Sequence, residues 1–215
     1  MNTRLQVEHP ITEEVVGVDL VKEQIRVANN EPLHFKQEDL KQRGHAIECR
    51  ICAEDTDNNF MPSPGILRQL MEPNGIGVRI DSAVYEGYEI PIYYDPMIGK
   101  LIVWATTRQF AIERMRRVLY EYKITGLKTN ISYLRHIMHV PDFVEGHYNT
   151  LFIPKHQDML KEWAGKKEEE TENIAMIAAY IDYLMNLEEN KSASSDNRPI
   201  SRWREFGLQK GVLRI

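Results

Sequence analysis

The sequence predicts a protein of mixed helix and strand structure, on three observations. Its 215 residues are 42% hydrophobic and 27% charged, the composition of an ordinary globular protein. Some stretches alternate between apolar and polar residues, which is typical of half-buried strands. In other stretches apolar residues recur every three or four positions, which is typical of packed helices.

Charge and cysteine content narrow the class of protein further. Lys and Arg total 27 and Asp and Glu total 32, and this mild acidity argues against a nucleic-acid partner. Two cysteines cannot form a disulfide framework, which favours a reducing compartment. No apolar run approaches the roughly 18–20 residues of a membrane span, and the polar start lacks the apolar core of a signal peptide. We therefore expect a soluble, intracellular protein.

The first third of the chain predicts a strand, a helix and a second strand. Residues 1–9 alternate in character before Pro10, as in a short strand that ends in a turn. Thr12 is expected to cap the helix that follows. Alternation over 45–55 predicts the second strand. The apolar stripe expected to pack the helix is Val18, Val21, Ile25 and Ala28.

The middle of the chain predicts a hairpin, a strand and two helices. Residues 66–71 and 76–80 are expected to pair around a turn at 73–75, and 98–105 to form another strand. Thr129 is expected to cap a helix that ends near His136. The stripe that predicts the first of the two helices is Ala111, Met115, Val118 and Tyr122.

Composition shifts beyond Pro154. The charge run 166–170 is interpreted as the solvated start of a helix, and 174–187 as a strongly apolar helix that needs a partner surface. Residues 190–199 are polar and turn-rich, and they are the best linker in the chain.

Two pairs of possible metal ligands are interpreted as structural. Cys49 and Cys52 have Cys-x-x-Cys spacing, but no second pair completes a zinc set. On a strand, residues three apart also point to opposite faces. His136 and His139 could share a helix face, without a third ligand nearby. No phosphate-binding glycine motif occurs in the sequence.

The first strand carries the residues best suited to chemistry. Asn2, Arg4, Gln6 and Glu8 would share one face, because alternate residues of a strand point the same way. A guanidinium fork matches a small planar oxyanion, and a carboxylate nearby could remove a proton from it. On the second strand, Arg50 shares a face with a glutamate. The alternative interpretations are a solvated edge strand and a surface ion pair.

Seven motifs, in order, resemble biotin carboxylase up to about residue 155. They resemble its active-site stretch and the C-terminal part that follows, whereas the ATP-grasp lid and most nucleotide contacts would precede Met1. The motifs are Met1–Pro10, Gly17–Val21, Arg43–Ile51, Pro62–Gly65, Tyr94–Leu101, Gly126–Asn130 and Tyr148–Thr150.

The resemblance implies a fold and a division of the chain. The fold class is α+β, an antiparallel sheet with packed helices, followed by a helical extension. Residues 1–155 would form the biotin carboxylase C-terminal domain, with the end of the ATP-grasp active site at 1–10. Residues 156–190 would be the helical extension, and 191–215 a linker and the start of a downstream segment. Residues 201–207 are similar to the connector of multidomain acyl-CoA carboxylase subunits.

The resemblance also implies the reaction, which is ATP-dependent carboxylation of carrier-bound biotin through carboxyphosphate. Arg4 would hold bicarbonate, with Gln6 and the amide of Val7 completing the cradle. Glu8 would be the general base for bicarbonate. Two further roles are implied: Asn2 would assist Mg²⁺, and Arg50 would stabilise the oxyanion that develops on biotin.

The implied cofactors are biotin, ATP and Mg²⁺. Because no Met-Lys-Met acceptor motif is present, the biotin would sit on a separate carrier domain. The implied partners are that biotin carboxyl carrier domain, a carboxyltransferase component and a second copy in a homodimer. A cytoplasmic location is expected, with the mitochondrial matrix left open, and so is the final carboxyl acceptor.

Two alternative functions are kept. One is a non-catalytic interaction module, in which the helix over 171–190 docks a partner. The other is a different ATP-grasp ligase, such as a carboxylating enzyme of purine synthesis, which would not require the strand at 45–50. The chain by itself is expected to be inactive.

Overall fold

The computed structural model describes residues 1–193, with the side chains of all of these except 161, 164–173 and 185–193. The chain divides into two compact units, Met1–Ala164 and Gly165–Ile215. The helices are α1 (His9–Val16), α2 (Leu20–Ala28), α3 (Arg108–Glu121), α4 (Ile131–Ile137), α5 (Pro141–Glu145) and α6 (Phe152–Ala193). The strands are β1 (His45–Cys52), β2 (Glu54–Asp55), β3 (Met61–Pro62), β4 (Gly65–Ile66), β5 (Gln69–Met71), β6 (Val78–Ser82), β7 (Glu89–Ile90), β8 (Met97–Ala105) and β9 (Lys123–Thr125).

A three-stranded antiparallel sheet forms the centre of the first unit. Its order is β1-β8-β6, so β8 is paired on both sides. The remaining described strands form two-stranded antiparallel ladders, β2 with β3, β4 with β7 and β5 with β9. This arrangement, with helices packed on the sheet, confirms the predicted α+β class. The strands predicted over 45–55 and 98–105 are confirmed as well.

One face of the sheet packs against α3 to form the core. Thr107 caps α3, because its hydroxyl accepts a hydrogen bond from the Phe110 N–H at 3.3 Å. The helix was predicted from its apolar stripe, and all four stripe residues are buried. Buried residues that meet between the sheet and α3 include Ile47, Cys49, Ile51, Leu101, Val103, Ala111, Met115, Val118 and Leu119.

The opposite face, called the polar sheet face because it carries charged side chains, also carries α1, which packs against β1 and β8. Side chains alternate across a strand, so Glu48 and Arg50 of β1 and Lys100 of β8 lie on this face. Because both faces of β8 are covered, its sequence is apolar in nearly every position and does not alternate.

The strand predicted over residues 1–9 is wrong. No described strand pairs with these residues, and α1 already begins at His9, before the predicted cap Thr12. The His9 N–H donates to the Gln6 carbonyl at 3.2 Å, which makes a turn of residues 6–9. Pro10 near the helix start has its backbone preset for a first turn and favours this early beginning.

The chain after Thr12 forms two helices instead of the single predicted helix, and the predicted apolar stripe is mostly exposed. Gly17 ends α1 in the left-handed conformation, and the Asp19 carboxylate caps α2 by accepting from the Lys22 N–H. No residue of α2 is buried, and Ile25 is 66% exposed. Val21 and Ala28 are exposed as well, and Val18, which precedes α2, is half-buried.

The hairpin predicted over 66–80 is also wrong. β5 pairs with β9, and β6 pairs with β8, so the two predicted arms never pair with each other. An isolated two-stranded hairpin is marginally stable. Pairing β6 with the long central strand β8 gives it a place in the sheet of the first unit.

Two predicted helix starts are shifted. Asn130, and not Thr129, stands at the start of α4, and it makes no side-chain capping bond. The charge run 166–170 lies within α6, not at its start. Pro154 is tolerated in the first turn, and a single glycine at 165 costs only about 1 kcal/mol, so the helix runs through both.

Among the described helices, none combines the length and the apolar character that crossing a membrane requires. The greater part of the predicted linker and the predicted connector at 201–207 lie outside the described residues.

Candidate active site

Two cations of the polar sheet face hold the turn that precedes α1. Arg50 on β1 donates from Nη2 to Glu8 Oε2 at 2.9 Å, between residues 42 positions apart. Lys100 on β8 donates from Nζ to the carbonyl oxygen of Val7 at 3.3 Å. The turn that contains Val7 and Glu8 is therefore attached to two neighbouring strands.

A third cation, Arg79 on β6, holds α1 itself. Its Nη1 lies 2.7 Å from Glu13 Oε2, and its Nε lies 2.8 Å from Asp81 Oδ1. Asp81 Oδ2 also lies 3.1 Å from Lys100 Nζ. Partial burial raises the pKa of Asp81, but hydrogen bonds from Arg79 and Lys100 outweigh it, so the pKa is lowered overall. All three strands of the sheet thus contribute one cation to docking the N-terminal segment.

The pair formed by Arg50 and Glu8 remains open to solvent. Their side chains are 50% and 54% exposed. A second carboxylate, Glu48, lies on the inner side of the guanidinium, with its Oε1 3.8 Å from Arg50 Nε. An accessible guanidinium beside an accessible carboxylate can bind a small anion and accept a proton at the same place.

Glu48 is the buried carboxylate of this cluster, with a side chain that is only 6% exposed. Burial raises its pKa, and the nearby charges of Lys100 and Arg50 oppose that rise. Its Oε2 is buried and has no hydrogen-bond partner among the described residues. Glu48 therefore places a carboxyl group beside Arg50 in a largely buried position.

Asn130 fixes the end of β1 that carries Arg50. Its Oδ1 accepts from the Cys52 N–H at 3.0 Å, and its Nδ2 donates to the Arg50 carbonyl at 3.0 Å. The Asn130 N–H also donates to the Cys52 carbonyl. Within residues 1–193 no strand pairs with β1 on this edge of the sheet, so the asparagine takes the place of a paired strand.

The other predicted site residues lie outside this cluster. Arg4 is exposed, and its Nη1 donates to the adjacent Leu5 carbonyl at 3.2 Å. Asn2 and Gln6 are exposed as well. The expectation that Arg4 and Glu8 share one face of a strand is corrected, because residues 6–9 form a turn and the partner of Glu8 is Arg50. The alternation on which that expectation depended is lost where the chain turns.

Sequence reasoning missed Lys100 and Asn130. Lys100 had a usable signal, since it is a lone charge in the apolar strand Met97–Ala105. A lysine in such a position needs a buried partner. Asn130 had no local signal, because its contacts are with residues 78 and 80 positions away.

The described residues offer no ready metal site. No group of three or more His, Cys, Asp or Glu side chains among them could hold a metal ion. Burial raises the pKa of the Cys49 and Cys52 thiols to about 12, so neither is a reactive thiolate near neutral pH. His136 packs edge-on against Trp163, and His139 bonds the Arg135 carbonyl.

Two family models match the chain. The biotin carboxylase C-terminal domain matches residues 48–155. The ATP-binding domain of the carbamoyl-phosphate synthase large chain matches residues 1–36. The Glu8–Arg50 contact therefore joins the two matched regions.

Similar proteins with assigned functions include the biotin carboxylase of a Nostoc species, 56% identical over 71% of this chain. Biotin carboxylase 1 of Bacillus subtilis is 52% identical over 74%. A crystal structure of the biotin carboxylase domain dimer of Hydrogenobacter thermophilus 2-oxoglutarate carboxylase, with MgADP and bicarbonate, matches with a TM-score of 0.72. It is 47% identical, and the match covers 74% of this chain and 35% of that one.

The chain spans about a third of the length of these relatives, with 34% of the Nostoc protein and 35% of the Bacillus protein covered. The match to the C-terminal domain model, over residues 48–155, covers just over half of the present sequence. The fold of the first unit agrees with the solved biotin carboxylases. This chain belongs to the biotin carboxylase C-terminal domain family.

Proposed function

We propose that this chain is the C-terminal part of a biotin carboxylase, which carboxylates carrier-bound biotin with bicarbonate and ATP. The observation that carries the proposal is the contact of 2.9 Å between Glu8 and Arg50. It joins the end of the ATP-binding region to the C-terminal domain in an accessible site. A docked carboxylate and guanidinium are the groups that proton removal from bicarbonate and oxyanion stabilisation require.

Each residue at the site has a proposed role. Glu8 is the general base that takes the proton of bicarbonate, and Arg50 stabilises the oxyanion on biotin. The exposed guanidinium of Arg4 holds bicarbonate, with the side chain of Gln6 and the N–H of Val7. The exposure of Arg4 and Gln6 supports a role in binding a small anion from solvent.

For Mg²⁺ and ATP, the residues present offer only part of a site. Asn2 supplies one amide oxygen, and the described residues contain no cluster of acidic ligands around it. Mg²⁺ usually needs carboxylate and phosphate oxygens. We therefore assign no catalytic step of this chain to the metal. When bound, ATP would activate bicarbonate, and the residues described above would hold and deprotonate it.

The partners and the division of the chain belong to the same proposal. The partners are a biotin carboxyl carrier domain, a carboxyltransferase component and a second copy of the carboxylase in a homodimer, in the cytoplasm. Residues 1–155 would act as the C-terminal domain, with the end of the active site at 1–10. Residues 156–190 would be a helical extension, and 191–215 would lead into a downstream segment.

A second function, partner binding, is favoured by one observation on α6. Four apolar side chains at helical spacing are between 43% and 67% exposed, namely Ile174, Ile177, Ile181 and Leu184. An apolar stripe of this kind needs a covering surface. It involves other residues than the carboxylase site, so the two functions are compatible.

The replacement Glu8→Gln tests the proposed function in a full-length carboxylase that contains this sequence. Glutamine keeps the volume but cannot accept the proton of bicarbonate. We expect turnover to fall on the order of 10²-fold or more, the scale of a positioned general base. The melting temperature should stay close to that of the parent.

The chain offers a matched control in the exposed pair Arg117 and Glu121 on α3, also 2.9 Å apart and similarly exposed. Glu121→Gln removes an equivalent surface ion pair and should leave turnover within about twofold. Near-normal turnover of the Glu8→Gln enzyme would contradict the assignment of a general base.

A further inference from the structure

Lys100 occupies the centre of the polar sheet face. In the antiparallel register it lies directly opposite Arg50 on one side and opposite Asp81 on the other. Side chains in such positions are close neighbours, and like charges directly opposite destabilise a sheet. Two adjacent cations therefore need compensating carboxylates, and Glu8, Glu48 and Asp81 provide them.

The lysine is also nearly buried, with a side chain that is 11% exposed. Desolvating an ammonium group is unfavourable unless it is paired and hydrogen-bonded. Asp81 supplies the ion pair at 3.1 Å. The carbonyl of Val7 accepts its hydrogen bond at 3.3 Å, and this bond reaches from the sheet to the turn of residues 6–9.

We propose that Lys100 is a positioning residue for the bicarbonate site, which docks the Val7–Glu8 turn on the sheet so that Glu8 meets Arg50. This inference rests on the proposed function for its catalytic consequence. The docking itself does not depend on that function. Arg50 is held to the same turn through its exposed contact with Glu8. Lys100 instead bonds to the backbone of the turn from a nearly buried position on the sheet, where solvent screens the interaction little.

The first test uses the 215-residue chain and the replacement Lys100→Met, which keeps a long unbranched side chain and removes its charge. Amide hydrogen exchange should become faster, on the order of tenfold, at His9 and Ile11, whose N–H groups close the turn. Lys155→Met is the control, because Lys155 is ion-paired with Asp142 away from the site. Unchanged exchange at His9 and Ile11 in Lys100→Met would overturn the inference.

The double variant Lys100→Met with Asp81→Asn separates positioning from charge neutralisation. If Lys100 served only as the counter-charge of Asp81, removing both charges would restore parental exchange and overturn the inference. If Lys100 docks the Val7 carbonyl, exchange at His9 and Ile11 stays fast in the double variant.

The second test measures the Michaelis constants of a full-length carboxylase that contains this sequence. Lys100→Met should raise KM for bicarbonate on the order of tenfold and leave KM for ATP within about twofold. An equal change in both constants would contradict the inference. If the parent enzyme showed no biotin-dependent carboxylation while the exchange data were as expected, the proposed function would be refuted. The docking role of Lys100 would remain.

Discussion

Arg50 binds two carboxylates that differ in exposure. Glu8 is 54% exposed, and Glu48 is 6% exposed. A surface ion pair contributes little stability, typically below about 1 kcal/mol, so the contact with Glu8 is better suited to orienting the guanidinium than to stabilising the fold.

Replacing the buried carboxylate by Glu48→Gln should stabilise the chain at alkaline pH. Because burial raises the pKa of Glu48 in the folded state, folding favours its protonated form, and its charge reduces stability above the folded pKa. The variant should be more stable than the parent at pH 8, where the charged form of Glu48 is present in the unfolded chain. The difference should disappear as the pH falls below the ordinary carboxyl value near 4.5. Thermal melts from pH 4 to pH 8 measure this.

Glu121→Gln, at the exposed pair on α3, should show no comparable alkaline gain. If Glu48→Gln were less stable than the parent throughout the pH range, the charges of Lys100 and Arg50 would outweigh the effect of burial.

At the scale of secondary structure, the local sequence pattern did not determine which strands pair, and the tertiary structure did. The arms of the predicted hairpin do form strands, β5 and β6, but each pairs with a distant strand. β6 then presents Arg79 and Asp81 beside Lys100. This pairing is what brings the third cation to the segment that carries the site.

Gly126, directly after β9, allows close packing against the chain that leads from β4 to β5. It has a φ of 105°, and a Cβ here would collide with the Ile66 carbonyl and touch the Arg68 backbone. Gly126→Ala should therefore destabilise the chain by roughly 2–5 kcal/mol, combining the left-handed conformation with steric overlap. Urea unfolding measures the loss.

Gly17→Ala is the matched control, because Gly17 has a φ of 78° but no atom within 4 Å of the place that a methyl group would occupy. Its loss should be limited to about 1–2 kcal/mol. Equal losses for the two variants would show that conformation alone, and not the contact with Ile66, makes Gly126 necessary.

For the whole molecule, the match to an ATP-binding domain is limited to residues 1–36. The apolar stripe of α2 lies in this region and is exposed. The remainder of such a domain would provide both a covering surface and the nucleotide contacts. The 215-residue chain therefore has its own core, and its match to the ATP-binding domain is confined to residues 1–36.

The 215-residue chain should fold cooperatively and fail to bind nucleotide. Calorimetry should show a melt of the buried core that MgATP at millimolar concentration does not shift, because only a ligand that binds the native state raises its stability. The full-length relative from Nostoc is the positive control. A raised melting temperature, or ATP turnover with free biotin, would contradict this expectation.

The sequence by itself determined those helices and strands whose pattern of apolar residues does not depend on which element they pack against. The stripe of α3 and the strand at 45–55 follow from local periodicity, and the strand at 98–105 follows from a short, almost continuously apolar run. Glu8 and Arg50 stood out as chemically suited residues. The ordered motifs identified the family, and with it the antiparallel sheet.

Only the tertiary structure decided which groups meet. Residues 1–8 alternate like a strand, yet no strand in the described part of the chain pairs with them, and they turn into α1. Glu8 consequently meets Arg50, 42 positions away, instead of Arg4. Lys100 joins the site because β8 is paired on both sides and covered on both faces. Periodicity records which face of an element is apolar, but the partner of a charge depends on how distant elements pack, which no local pattern encodes.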